Sequence, residues 1–200
     1  MKQTKKIIHL AFPAMMENLL QMLMGVVDNY LVAQVGLIAV SGVSVANNII
    51  TIYQAIFIAL GAAVSSLVAK SRGEKNNEKT VQYQSEAILV TLGLSLVLGL
   101  FSLLFGKTIL HWLGTETTVT QAGGLYLAIV GGLIVSLGLM TTLSAFLRAL
   151  GKPQLPMYVS LLSNVLNAIF SAVSVFVFHW GIAGVACSTV LSRFLSVHCC

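Results

Sequence analysis

Six stretches of mainly apolar residues follow one another along this chain, at about 7–33, 44–69, 84–105, 121–147, 155–178 and 181–199. A helix needs about 20 such residues to cross the hydrocarbon of a bilayer. Six in series rule out an ordinary soluble fold. Composition agrees: 57% of the 200 residues are hydrophobic and 8% are charged, against about one quarter charged in soluble domains. The predicted fold class is therefore all-α: a polytopic membrane protein whose six-helix transmembrane bundle forms a single lobe over residues 1–200.

The breaks between segments are legible. "KSRGEKNNEKT" is a charged loop, "GKTILHWLGTETT" an amphipathic one, and "RALGKPQLP" a glycine/proline punctuation. The link "FHWGIAG" is so short that the fifth and sixth spans must be antiparallel neighbours. The first segment carries Pro13 and Glu17 and lacks a small-residue cleavage site, so it reads as a retained helix rather than a signal peptide.

The net charge of +5 is not a nucleic-acid signature. Lys2, Lys5, Lys6, Lys70, Arg72, Lys75, Lys79, Arg148, Lys152 and Arg193 all fall on one side of a six-span topology, and Lys107 alone falls on the other. The positive-inside rule then places both termini and the loops at 70–79 and 148–154 in the cytoplasm, and the chain in the cell membrane. On this reading Arg193 marks the end of the sixth span. Cys187, Cys199 and Cys200 have no metal-ligand spacing, and His9, His111, His179 and His198 sit near segment ends as interfacial residues. No metal cluster, catalytic constellation or cofactor is expected.

Polar residues inside the spans carry the functional information. On a helix advancing about 100° per residue, Glu17, Gln21 and Asp28 fall on one line. Lipid is a poor neighbour for that line, so it faces the bundle or a wet cavity. Ser160, Asn164, Asn167, Ser171 and Ser174 form a second stripe on the fifth span, and Ser44, Asn47, Thr51, Gln54 and Ser65 a third on the second span. Such small polar residues also serve as packing glue in membranes, an equal alternative for these two stripes. Glu17 lies nearer the cytoplasmic end, where it could reach interfacial water. Asp28 is deep, and no basic residue in any span is placed to pair with it, so the sequence assigns it proton or cation handling. Pro13 is a hinge candidate, because it removes a backbone hydrogen bond, unless it only opens the helix. Met15, Met16, Met22 and Met24 are adaptable apolar lining or plain core filler.

"FPAMMENLLQMLMGVVDNYLVAQVG", "SLVAKSRGEKNNEK", "LRALGKPQLPMYVSLLSNVLNAIF" and "GIAGVACSTVLSR", in that order and spacing, resemble the signatures of the multidrug and toxic compound extrusion (MATE) family, and within it the DinF-like branch. The resemblance implies an antiporter that exports small organic cations and other amphipathic drugs in exchange for H⁺ or Na⁺. It implies that Asp28, Asn167, Ser171 and Thr189 form the cation- or proton-coupling group. Glu17, Gln21, Met24, Asn164 and Asn47 are the cavity and substrate candidates, and Pro13 matches the family's bend. Some members carry a second acid where this chain has Ser171. With Asp28 as the one anion, H⁺ is favoured over a Na⁺ site at Asp28, Asn167 and Thr189, because hard cations want several anionic oxygens.

The family has twelve helices in two lobes. The resemblance therefore reads this chain as an N-terminal lobe without its C-terminal lobe, truncated and inactive alone, with a second lobe or a homodimer mate as partner alongside the lipid bilayer. The alternative is a non-transporting membrane fragment or interaction partner of a full-length transporter. A lipid-linked oligosaccharide flippase is disfavoured, because the spans contain no deep lysine or arginine for a pyrophosphate headgroup. Nucleic acid is not an expected partner.

Overall fold

The computed structural model describes residues 2–198, with side chains from residue 11 onward. The readings made above for the side chains of Lys2, Lys5, Lys6 and His9, and for Cys199 and Cys200, lie outside the described residues. The chain forms α1 (Lys2–Ala33), α2 (Leu37–Gly73), α3 (Asn77–Trp112), α4 (Thr117–Tyr126), a π turn (Leu127–Gly131), α5 (Val135–Ala149), α6 (Gln154–Phe176) and α7 (Gly181–His198). Among the described residues there is no strand.

Four of these helices, α2, α3, α6 and α7, are long and apolar enough to cross a membrane, and α4 with α5 makes a fifth span bent by 49°. The 32 residues of α1 reach about 48 Å, and its described side chains include the polar line of Glu17, Gln21 and Asp28. The expected fourth span at 121–147 is thus two helices. The cause of the break is local: a π turn ends at Gly131 and Gly132 follows it, a pairing that commonly kinks helices.

The helices outrun the expected spans. The apolar reading of α3 covered 84–105, but the helix continues through "GKTILHW" to Trp112, so the amphipathic loop shrinks to 113–116. The charged loop after α2 shrinks to 74–76. Lys75 turns the chain at φ 55°, and Asn76 caps α3 by accepting a hydrogen bond from the Lys79 N–H at 3.0 Å. Arg72 Nη1 donates to the Leu150 carbonyl at 3.0 Å, so the basic loops after α2 and α5 share one end of the bundle.

The burial pattern is that of a membrane bundle. On α3 the buried residues are Thr80, Ala87, Thr91, Ser95, Gly99, Ser102, Gly106 and Leu110, nearly all small, while Leu96, Val97, Leu103 and Leu104 are exposed. In a bilayer the large side chains meet lipid and the small ones let helices approach. A side chain on Gly42 of α2 would lie 2.6 Å from the Gly123 backbone nitrogen of α4, so these two backbones touch. Hydroxyls tie the inner faces together: Thr91 to Thr142 at 2.9 Å, Ser102 to Tyr53 at 3.1 Å and Ser174 to Ser188 at 3.1 Å. α7 packs back along α6, as the short link required, and α6 in turn packs along α1.

Candidate functional site

The three helices α1, α6 and α7 meet at one buried polar group. Asp28 on α1 is 4% exposed, Asn167 on α6 and Thr189 on α7 are each 1% exposed. Asn167 Nδ2 donates to Thr189 Oγ1 at 3.1 Å, and Thr189 Oγ1 donates to Asp28 Oδ2 at 3.2 Å. The same Thr189 hydroxyl also has the Val185 carbonyl within 2.9 Å, one turn back on its own helix. Asp28 Oδ1 and Asn167 Oδ1 are sealed from solvent and have no hydrogen-bond partner. Buried acceptors are nearly always satisfied, so an unpartnered carboxylate oxygen and an unpartnered amide oxygen in one hydrogen-bonded group can accept a donor or a cation.

Asp28 also borders a cavity of about 400 Å³, within the size range of small-molecule pockets. The expected candidates Gln21, Met24, Asn47 and Asn164 line it. Gln54 Nε2 donates to Gln21 Oε1 at 3.0 Å, bridging α2 and α1 across its wall. Asn164 spends its amide on the Ser160 carbonyl at 2.7 Å. The second-span stripe divides: Asn47, Thr51 and Gln54 reach the cavity, Ser65 donates to the Ala145 carbonyl as packing glue, and Ser44 is exposed on the surface.

Other candidates lie elsewhere. Glu17 does not line this cavity, and its side chain is buried. It is 2% exposed and paired with Arg148 of α5, which donates from Nη1 to Glu17 Oε2. Only a tertiary contact bridging 131 positions supplies that partner. Ser171 is fully buried one turn beyond Asn167, outside the cavity wall, and its hydroxyl has no partner. α1 runs unbroken through Pro13.

Two ionisable cavity residues escaped the sequence reading. Tyr126, at the end of α4, is 2% exposed and lies within electrostatic reach of Asp28 and Arg193. Nothing in "GGLYLA" marks it. Arg193 overturns the expectation that no basic residue in a span faces Asp28. It is half-buried, lines the same cavity and acts electrostatically on Asp28 and Tyr126. The signal was present: Arg193 is four residues after Thr189, hence one turn along on the same face of α7. Counting it as an end-of-span orientation marker concealed that face.

Comparison with known proteins places these features in context. The MatE family model matches residues 13–173. The probable multidrug resistance protein NorM of Thermotoga maritima is 28% identical over 195 residues, covering 96% of this chain and 42% of NorM. The uncharacterized transporter YisQ of Bacillus subtilis is 25% identical, covering 98% of this chain and 44% of YisQ. The chain therefore spans less than half the length of these relatives. Among solved structures, a MATE in the bent conformation superimposes with a TM-score of 0.90 at 19% identity, over 98% of this chain and 44% of that one. A MOP superfamily transporter from Pyrococcus furiosus does so at 0.87 and 19% identity, over 97% and 43%. At that identity these two likenesses speak to the fold.

Proposed function

The chain belongs to the MatE family of multi-pass membrane transporters, and from that premise we propose that it forms one lobe of a proton-coupled exporter of small organic molecules. The observation that carries the reading is the orphaned Oδ1 of Asp28. A buried carboxylate with a donor on one oxygen and none on the other is a place to put a proton or a cation. Its position on a cavity wall gives that event a consequence for whatever the cavity holds.

Proton rather than Na⁺ is the coupling ion in this proposal. Na⁺ at Asp28, Asn167 and Thr189 would have one anionic ligand and two neutral oxygens, with the Arg193 cation on the same cavity. A proton needs one carboxylate oxygen and no coordination shell. The relatives' names favour multidrug export. The flippase alternative was set aside for want of a deep base; Arg193 is such a base, but one guanidinium beside one carboxylate is a weak match for the several charges of a pyrophosphate.

The remaining assignments belong to the same proposal. The membrane is the cell membrane, with both termini and the basic loops cytoplasmic. Pro13 acts as a hinge in α1, where it removes one backbone hydrogen bond. Residues 1–200 alone are expected not to transport, because a complete substrate path needs a second lobe. The test is ethidium-type dye movement in proteoliposomes, under an imposed pH or Na⁺ gradient, for a MatE-length protein carrying this lobe and for residues 1–200. Dye movement driven by the pH gradient in the longer protein alone is expected. Drive by Na⁺ alone would overturn the coupling ion, and no movement under either gradient would overturn export.

A further inference from the structure

Two short turns meet at one end of the bundle and bring their basic residues together. α2 ends at Gly73 and α3 starts at Asn77; α5 ends at Ala149 and α6 starts at Gln154. Beneath both turns lies one apolar cluster, Val64 and Val68 of α2, Ala87 of α3 and Phe146 of α5, with Leu150 packed against it. Across that cluster Arg72 Nη1 donates to the Leu150 carbonyl at 3.0 Å. Lys70 is on the same last turn of α2, Lys75 is in the α2–α3 turn, and Lys152 follows Leu150 by two residues; all three are exposed. Among the described residues, none of Lys70, Arg72, Lys75 and Lys152 has a carboxylate within 4.0 Å. Glu74 is spent on Lys79 at 3.5 Å and Glu17 on Arg148, which leaves Glu78 as the one unpaired acid of these turns and their flanking helix ends.

This positive surface borders side chains suited to hydrocarbon. Leu67 lies three residues before Lys70 and is 44% exposed. Leu155, three residues after Lys152, is 45% exposed, and Tyr158, about one turn further along α6, is 58% exposed. α2 and α6 are both apolar enough to cross a membrane, and tyrosines and basic residues gather where hydrocarbon gives way to headgroups. The fitting partner therefore offers a negative charge directly beside apolar chains. A phospholipid of net negative charge does both. Its phosphate oxygens accept from the lysines and from the donors of Arg72 that Leu150 leaves free, and its acyl chains cover Leu67 and Leu155. A zwitterionic lipid brings a cation of its own to a surface already rich in them. We propose that the α2–α3 and α5–α6 turns form a binding site for an anionic phospholipid, with its phosphate between Arg72 and Lys152 and with Lys70 and Lys75 beside it. The bound phosphate ties together two turns that Arg72 joins by a single hydrogen bond, so the lipid stabilises this end of the lobe. The inference is independent of the export reading and of the coupling ion.

The test is native mass spectrometry of the purified chain in detergent, titrated with phosphatidylglycerol or phosphatidylcholine of the same acyl chains. The first phosphatidylglycerol is expected to bind at least about fivefold tighter than the first phosphatidylcholine, the factor that one lysine near an anionic surface contributes. It should also raise the unfolding midpoint more. The triple variant Lys70→Gln, Lys75→Asn, Lys152→Gln should lose the preference; asparagine suits the φ of 55° at Lys75. Lys107→Gln, at the opposite end of α3, should keep it. Lys2, Lys5 and Lys6 remain in every variant, so they cannot account for a loss. Equal binding of the two lipids, a preference retained by the triple variant, or a preference lost in Lys107→Gln would each overturn the site. Displacement of phosphatidylglycerol by millimolar glycerol 3-phosphate would overturn the lipid in favour of a free phosphate. Should the triple variant fail to fold, Lys152→Gln alone decides: part of the preference should go, and full retention would count against the proposal.

Discussion

α1 carries two acids on the same polar line, eleven residues apart, and the protein treats them in opposite ways. Glu17 is buried and capped by direct contact with Arg148 of α5. Asp28 has a neutral donor on one oxygen, nothing on the other, and a base across a gap. The first arrangement has its charge balanced whether or not anything else is present. The second is complete only when something arrives. An acid inside a membrane protein is therefore not a functional signal by depth alone; what separates the two is whether the fold itself supplies the counter-charge at contact distance.

The comparison breaks most visibly under isosteric neutralisation. In a MatE-length protein, Asp28→Asn is expected to abolish gradient-driven dye efflux while leaving the fold intact, since Asp28 makes no ion pair at contact distance and asparagine keeps an acceptor for Thr189. Glu17→Gln is expected to leave efflux measurable. The readout is initial efflux rate in proteoliposomes, normalised to folded protein. Efflux by Asp28→Asn at the wild-type rate, or its loss in Glu17→Gln at normal folding, would exchange the roles assigned to the two acids.

Stability should invert that ranking. Glu17→Gln leaves Arg148 facing a neutral amide, and Arg148→Met leaves a buried carboxylate with no base. Breaking a fully buried pair costs about 3–5 kcal/mol. Arg148 keeps 34% of its side chain exposed, so about 2 kcal/mol is expected here, with the larger effect in Arg148→Met because Glu17 is the sealed partner. The double variant should recover most of the loss. Unfolding midpoints in detergent measure all three. An additive double variant would show that the pair makes no energetic unit.

What the sequence disclosed follows the same division. Helix periodicity put Asp28 and Gln21 on one face, and the stripes on α2 and α6 brought Asn47, Asn164 and Asn167 toward it, because spacing along one helix fixes which side chains share a face. Residues joined across helices were legible only through the family motifs, as with Thr189. Partners without such a motif were not: Arg148 of α5 reaches Glu17 of α1 by a side-chain contact between helices far apart in the chain, and Tyr126 reaches the site from the last residue of α4, where the π turn begins. The apolar run at 121–147 concealed that turn, since hydropathy measures composition and a bent span is as apolar as a straight one. Helix ends were equally hidden, because α2 and α3 extend as polar helix beyond the hydrocarbon length that apolar counting detects.

The smallest expected effect concerns the donor that Asp28 does have. Thr189 Oγ1 has one proton and two acceptors, the Val185 carbonyl at 2.9 Å and Asp28 Oδ2 at 3.2 Å. The shorter contact competes for that proton, so Asp28 holds only a share of it. Thr189→Val keeps the shape and removes the hydroxyl, which also strands the Asn167 amide that donates to it at 3.1 Å. A full hydrogen bond to a charged group contributes about 1.5–3 kcal/mol, and a shared one less, so a loss near 1 kcal/mol is expected. In efflux rate that is about fivefold, far short of the loss in Asp28→Asn. Thr189→Ser, which restores the hydroxyl without the methyl, should return most of the rate. A Thr189→Val protein as inactive as Asp28→Asn would make the threonine an obligatory ligand of the coupling ion, and that would favour Na⁺ over the proton. A protein with unchanged efflux would mean that the Thr189 hydroxyl donates to the Val185 carbonyl alone and that Asp28 works with both of its oxygens free.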